Sequence, residues 1–159
     1  MNRLEKLRKR FYPDCITTLF VGESAPASGR FFYSSNSSLF RAMKRVFGDR
    51  ESFLEDFKRN GFYLDDLVLT PINKMERRER SSRRQEAVPE LAKRLVEYKP
   101  EAVVVVMRAI LPKVRQAMQI AGMPYEPFCV PHPAFGNWTR FSNAMKEIID
   151  DLPVADGSK

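Results

Sequence analysis

Histidine is all but missing from this chain of 159 residues: His132 is the only one, and cysteine is represented by Cys15 and Cys129 alone. Two thiols and one imidazole cannot build the usual four-ligand zinc or iron–sulfur sites, so no metal and no iron–sulfur cluster is expected. Nor can two cysteines make a disulfide framework. Both lie in apolar, strand-like runs, which predicts buried, reduced thiols in a cytoplasmic protein. Long hydrophobic runs are absent as well. The longest, Cys15 to Val21 and Ala102 to Met107, are far too short to span a bilayer, and no membrane partner is expected. The N-terminal residues lack the charged-then-apolar pattern and cleavage site of a signal peptide. Acid is in deficit: 20 Asp and Glu stand against 27 Lys and Arg, a net charge of +7. That balance suits a polyanionic partner such as nucleic acid. Arg3, Lys6, Arg8, Lys9 and Arg10 form a basic start, and Lys74, Arg77, Arg78, Arg80, Arg83 and Arg84 crowd a second segment.

What is present is a regular alternation. Residues 2–11 predict a short amphipathic helix ended by Pro13. The run 15–21 reads as a buried strand that stops at Gly22, where the backbone can turn or approach a ligand without a Cβ. Ser37 or Ser38 caps a helix with Leu39, Phe40, Met43, Val46 and Phe47 on one face, and a shorter helix covers 51–59. Residues 62–70 predict a second strand carrying two acids, Asp65 and Asp66, which are rare in a buried strand unless paired or functional. Residues 71–84 read as a polar, basic loop. Helix follows from about 86 to 98, strand over 102–107, helix from Pro112 to Ala121, a short strand at 127–130, and helix over 138–150. No repeat and no linker interrupts the pattern. Residues 1–159 are therefore expected to form one domain and act as a monomer, with its core at about 14–150 and a frayed tail at 153–159. Strands alternating with helices predict an α/β fold: a three-layer α/β/α sandwich on a central four-stranded parallel sheet.

In such a sheet every strand ends on the same edge, which is where open α/β folds bind ligands. That edge gathers Gly22, Glu23 and Ser24, then Asp65, Asp66 and Thr70, then Met107 and Arg108, then His132. Taken singly, each has an ordinary reading: a plain strand–helix connection, a cap, a salt bridge, a structural histidine. Together they predict a polar site.

The residues also resemble a family. Gly22-Glu23-Ser24-Ala25-Pro26, followed by Phe31, Phe32 and Tyr33, is similar to the first motif of the uracil-DNA glycosylase superfamily. There a Gly-Glu-Ala-Pro or Gly-Gln-Asp-Pro loop lines the base pocket and a downstream Phe stacks on the flipped base. Pro131-His132-Pro133-Ala134 resembles the second motif, His-Pro-Ser. Tyr63-Leu64-Asp65-Asp66-Leu67-Val68 resembles a Tyr-Ile-Thr-Asn-Val-Val strand, Thr70 to Lys74 the turn after it, and Lys99 to Met107 the third strand. The likeness covers roughly 14–150. It departs at four places. The base-reading Asn becomes Asp66, which as a carboxylate only accepts hydrogen bonds and suits a base edge rich in donors, unless it is protonated. The water-activating Asp becomes Ala25 or Ser24. The cluster-binding cysteines of the thermophilic members are absent. The Ser after His-Pro becomes Ala134.

The resemblance implies roles. His132 stabilises charge on the departing base, and Glu23 assists the oxocarbenium-like sugar and orients water. Gly22, Ser24, Phe32, Tyr33 and Asp66 hold the base, with Phe32 the stacking ring ahead of Phe31 and Tyr33. Arg108, Lys74, Arg77, Arg78 and Asn137 contact nucleic acid. Trp138, next to Asn137, serves either as a wedge into the duplex or as helix packing. The implied function is DNA binding with hydrolysis of the N-glycosidic bond of uracil or another modified or mismatched base in DNA repair, without a cofactor. Two other readings stay open: a catalytically inactive nucleic-acid-binding member of the same fold, and a small-molecule nucleotide or sugar-phosphate enzyme.

Overall fold

The computed structural model describes residues 3–155. Its elements are α1 (Arg3–Arg10), β1 (Thr18–Gly22), α2 (Ser38–Val46), α3 (Phe53–Arg59), β2 (Phe62–Asp66), α4 (Arg77–Tyr98), β3 (Ala102–Val105), α5 (Leu111–Ile120), β4 (Phe128–Cys129) and α6 (Trp138–Ile148). The four strands form one sheet in the order β2-β1-β3-β4, and every pairing is parallel. Val21 lies between Asp65 on β2 and Val105 on β3, so the ends of three strands are level. With right-handed crossovers, this order puts α4 and α5 on one face and α2 and α3 on the other. The helices α4 and α5 pack against each other, α6 packs on α2, and α3 packs on β2. The expected α/β/α sandwich on a four-stranded parallel sheet is the fold observed. Among the described residues no helix is long and apolar enough to cross a membrane.

The apolar runs of β1 and β3 are buried along their whole length, as strands covered on both faces must be. A belt of rings fills the layer beneath α2 and α3: Phe20, Phe53, Phe57 and Phe62 meet one another, and Phe32 joins them. Ser37 caps α2 by accepting a hydrogen bond from the Phe40 amide at 3.0 Å. Gly61, at φ +81°, makes the turn into β2, and a Cβ there would lie 2.8 Å from Thr17 Oγ1.

Several boundaries differ from expectation. The first strand starts at Thr18, so Cys15 precedes it and is exposed rather than buried, while Cys129 is half-buried on the short edge strand. The second strand ends at Asp66, not Thr70, although the Leu67 and Val68 amides still bond to the Gly22 and Glu23 carbonyls. Most of the expected loop 71–84 is helix, because α4 begins at Arg77. Its first two turns carry no apolar residue to mark a buried face, yet Arg, Glu and Gln are good helix formers. The tail is held where it is described: the Pro153 carbonyl accepts from Thr18 Oγ1 at 2.9 Å, and the Ala155 amide donates to the Asn60 carbonyl at 2.7 Å. The rest of the expected frayed tail, 156–159, lies outside the described residues.

Candidate functional site

The site begins where β1 and β2 end side by side. Gly22 pairs with Asp66 across the sheet. A Cβ at position 22 would sit 2.8 Å from Asp66 Oδ1, so the carboxylate occupies the space that the missing side chain leaves. The two adjacent acids then diverge. Asp65 is saturated. Its Oδ1 accepts from Arg8 Nη1 at 2.7 Å and from the Asp66 amide at 2.8 Å, and its Oδ2 from Arg94 Nε at 2.9 Å and the Tyr98 hydroxyl at 2.8 Å. Among the described residues, the Asp66 side chain receives only a long contact, 3.4 Å, from Arg8 Nη2 to its Oδ2. Burial raises its pKa from 3.8 to about 6, against the attraction of Arg8 and with the help of the neighbouring Asp65 charge.

Arg8, named in the sequence only as part of the basic start, has a place in the site that sequence reasoning missed. It reaches down from α1, is buried, and lays its guanidinium 5.3 Å from the centroid of Phe31. Its position was marked all the same. With Leu4, Leu7 and Phe11 it occupies one helical stripe, so a charge stands on an apolar face opposite two acids in a buried strand.

Glu23, on the loop after β1, is buried and gripped. Arg80 donates through both Nε and Nη2, the Nε bond being 2.8 Å, and Arg84 donates through Nε at 2.7 Å and pairs through Nη2. Burial works against the charge on Glu23, but the hydrogen bonds from Arg80 and Arg84 outweigh it, and its pKa is lowered. Arg80 and Arg84 are one helical turn apart on the part of α4 that was expected to be loop. The same region staples the glycine-bearing loop elsewhere: Asn73 Oδ1 accepts from the Ala27 amide at 2.9 Å, and Ser24 Oγ from the Ile72 amide at 3.3 Å.

His132 follows β4. Its Nδ1 accepts from the Ala134 amide at 3.2 Å, which leaves Nε2–H as the donor of the neutral ring. Burial lowers the His132 pKa, with Glu23 pulling the other way, so the neutral form prevails at pH 7. The loop beyond carries Phe135 at φ +57°, fully exposed.

These ends surround one cleft of ≈ 1050 Å³, which Gly22, Glu23, Ser24, Phe32, Tyr33, Asp66, Arg108, His132 and Asn137 all line. The parallel topology thus brings together most of the residues singled out in the sequence. Phe32 and Tyr33 reach the cleft wall but are only 3% exposed. Phe32 is held among Tyr33, Phe40, Phe53 and Phe57. The Tyr33 hydroxyl donates to the Leu64 carbonyl and accepts from the Leu64 amide, closing backbone groups of the edge strand β2. Both rings pack into the aromatic core and turn only a small part of their surface to the cleft. Lys74, Arg77 and Arg78 do not line the cleft; they are exposed on the turn before α4 and on its first turn. Arg30 and Arg140, not anticipated, do line it with Arg108, and no ion pair engages these three among the described residues. Trp138 is partly exposed at the start of α6, with the Arg45 guanidinium 5.3 Å from its ring centroid.

The family model of the uracil DNA glycosylase superfamily matches residues 10–153 of the chain. No curated protein matches it.

Proposed function

The chain belongs to the uracil DNA glycosylase superfamily, and from that premise we propose that it binds DNA along the carboxyl edge of its sheet and hydrolyses the N-glycosidic bond of a modified or mismatched base. The observation that carries this reading is that His132, Glu23 and Asp66 share one cleft with arginines that have no ion pair among the described residues. Glycosidic cleavage sends a base away as an anion and leaves an oxocarbenium-like sugar. The Nε2–H of neutral His132 donates to the base as charge develops on it. Glu23 stays ionised through its two arginines and stabilises the positive sugar; held this way it orients water and does not take up a proton readily. Asp66 faces the edge of the base, and Gly22 and Ser24 complete the pocket. Arg108, Arg30, Arg140 and Asn137 hold phosphates near the cleft, with Lys74, Arg77 and Arg78 flanking. Phe135, exposed on a left-handed turn next to the site, supplies the ring that enters the base stack. The reading takes residues 1–159 as one domain acting as a monomer and invokes no cofactor.

A second reading, a DNA-binding member without glycosylase activity, is favoured by Glu23 itself. Both its oxygens are engaged by Arg80 and Arg84, which makes the carboxylate a weak base for activating water. The test is a cleavage assay on labelled oligonucleotides carrying uracil, hypoxanthine, xanthine or mismatched thymine, single- and double-stranded, with His132→Ala as control. Abasic product that disappears in the control establishes the glycosylase. DNA binding without product on any substrate establishes the inactive member. No binding and no product would leave only the fold.

A further inference from the structure

We propose that Asp66 makes this cleft select a base bearing an exocyclic amino group, with a donor edge of the cytosine or adenine kind, over the carbonyl edge of uracil. The inference rests on the reading that the cleft holds a nucleobase. It starts from the contrast between two neighbouring carboxylates. Asp65 has four donors on its two oxygens and nothing left to offer. Asp66 has one contact of 3.4 Å, on Oδ2, and its Oδ1 takes no hydrogen bond among the described residues. The side chain is 10% exposed, and that exposure opens on the cleft it lines. Gly22 leaves the room for Oδ1, and Arg94 Nη2 fixes the Asp66 carbonyl at 2.7 Å, so the carboxylate is held in place by backbone.

An ionised carboxylate only accepts. An amino N–H from a base completes its hydrogen bonding, whereas a carbonyl oxygen in the same place meets the negative charge of the carboxylate. The one donor of the uracil edge, N3–H, lies between two carbonyls and brings that repulsion with it. A buried site built for a hydrogen bond rejects the ligand that cannot make it by on the order of ten- to a hundred-fold. The charged groups that face Asp66 are Arg8 from α1, Arg94 from α4 and Asp65 beside it; β1 contributes Gly22, which has no side chain. Protonation of Asp66 in mild acid turns Oδ1 or Oδ2 into a donor and admits the carbonyl edge.

The experiment measures binding of oligonucleotides that carry one unpaired 2′-fluoroarabino nucleotide, which resists glycosidic hydrolysis, with cytosine, adenine or uracil as base. Fluorescence anisotropy gives Kd for the full chain and for Asp66→Asn at pH 7.5 and pH 5.5. The expected result is tighter binding of the amino-bearing bases at pH 7.5, by about ten-fold. The ratio should fall at pH 5.5, and in Asp66→Asn it should shift towards uracil and lose its pH dependence. The unmodified chain at two pH values tests the idea even if the variant folds poorly. Uracil bound as tightly as cytosine and adenine at pH 7.5, or a base ratio indifferent to both pH and Asp66→Asn, would overturn the assignment while leaving DNA binding in place. Absence of binding to every oligonucleotide would overturn the proposed function together with it.

Discussion

Replacing Asp66 by Asn should stabilise the protein at neutral pH and do nothing for it in acid. Asp66 carries a pKa of about 6 in the folded chain against an ordinary 3.8. Below 3.8 both folded and unfolded chains hold the proton, and the group costs nothing. Between 3.8 and about 6 the unfolded chain releases its proton first, so folding stability falls as pH rises. Above about 6 the cost is complete. A gap of about two decades, at about 1.4 kcal/mol per decade, amounts to about 3 kcal/mol. Asn keeps the shape without the charge. The attraction of Arg8 is already contained in the folded pKa, so the expected gain is about 3 kcal/mol at pH 7.5. Urea unfolding of both chains at pH 7.5 and at pH 4 reads this directly as a shift in midpoint. A variant less stable than the parent at pH 7.5, or a difference equal at both pH values, would refute the view that Asp66 is a buried, under-satisfied carboxylate.

Arg8→Met removes the cation that faces both acids and should cost about 3–5 kcal/mol at pH 7.5 in the same assay, with part of the loss returning in acid as Asp66 takes up a proton. For Glu23 the sign is opposite. Its folded pKa is lowered, so its contribution is present above the ordinary 4.5 and is lost as pH falls through the folded value. Glu23→Gln should therefore be destabilised by about 2 kcal/mol at pH 7.5, and the difference from the parent should narrow when unfolding is followed down through pH 4. Phe135→Ala should leave stability within about 0.5 kcal/mol. It should weaken DNA binding about ten-fold in an anisotropy titration; unchanged binding would show the ring to be ordinary surface.

Much of this arrangement was legible before the structure. Apolar runs separated by helical patterns dictate a parallel sheet, and a parallel sheet dictates that the residues after each strand share an edge. For that reason Glu23, Asp66 and His132 were found together from linear positions alone. The gaps have physical causes too. The first turns of α4 are polar all round, and hydrophobic periodicity is blind to such a helix, so the arginines that grip Glu23 were read as loop. How little of Phe32 opens on the cleft was not legible either, because ring type does not say which side of a ring the core covers. Arg8 and Asp65 were invisible as a pair because 57 residues separate them.

Arg8 also has a bearing on where this protein can be cut. The segment that the family shares begins at residue 10, yet one of the two guanidiniums that face the acids at the end of β2 comes from residue 8. A boundary drawn by kinship and a boundary drawn by electroneutrality do not coincide here. A fragment trimmed to the shared segment would keep every strand and still be a different polar object, with two buried carboxylates and one guanidinium fewer. Without Arg8 the pKa of Asp66 would rise further, and near neutral pH the fragment would carry that group protonated in part. On the proposed reading, any base preference measured on such a fragment would belong to that more protonated form, and the helix ahead of the shared segment belongs to the base-reading site.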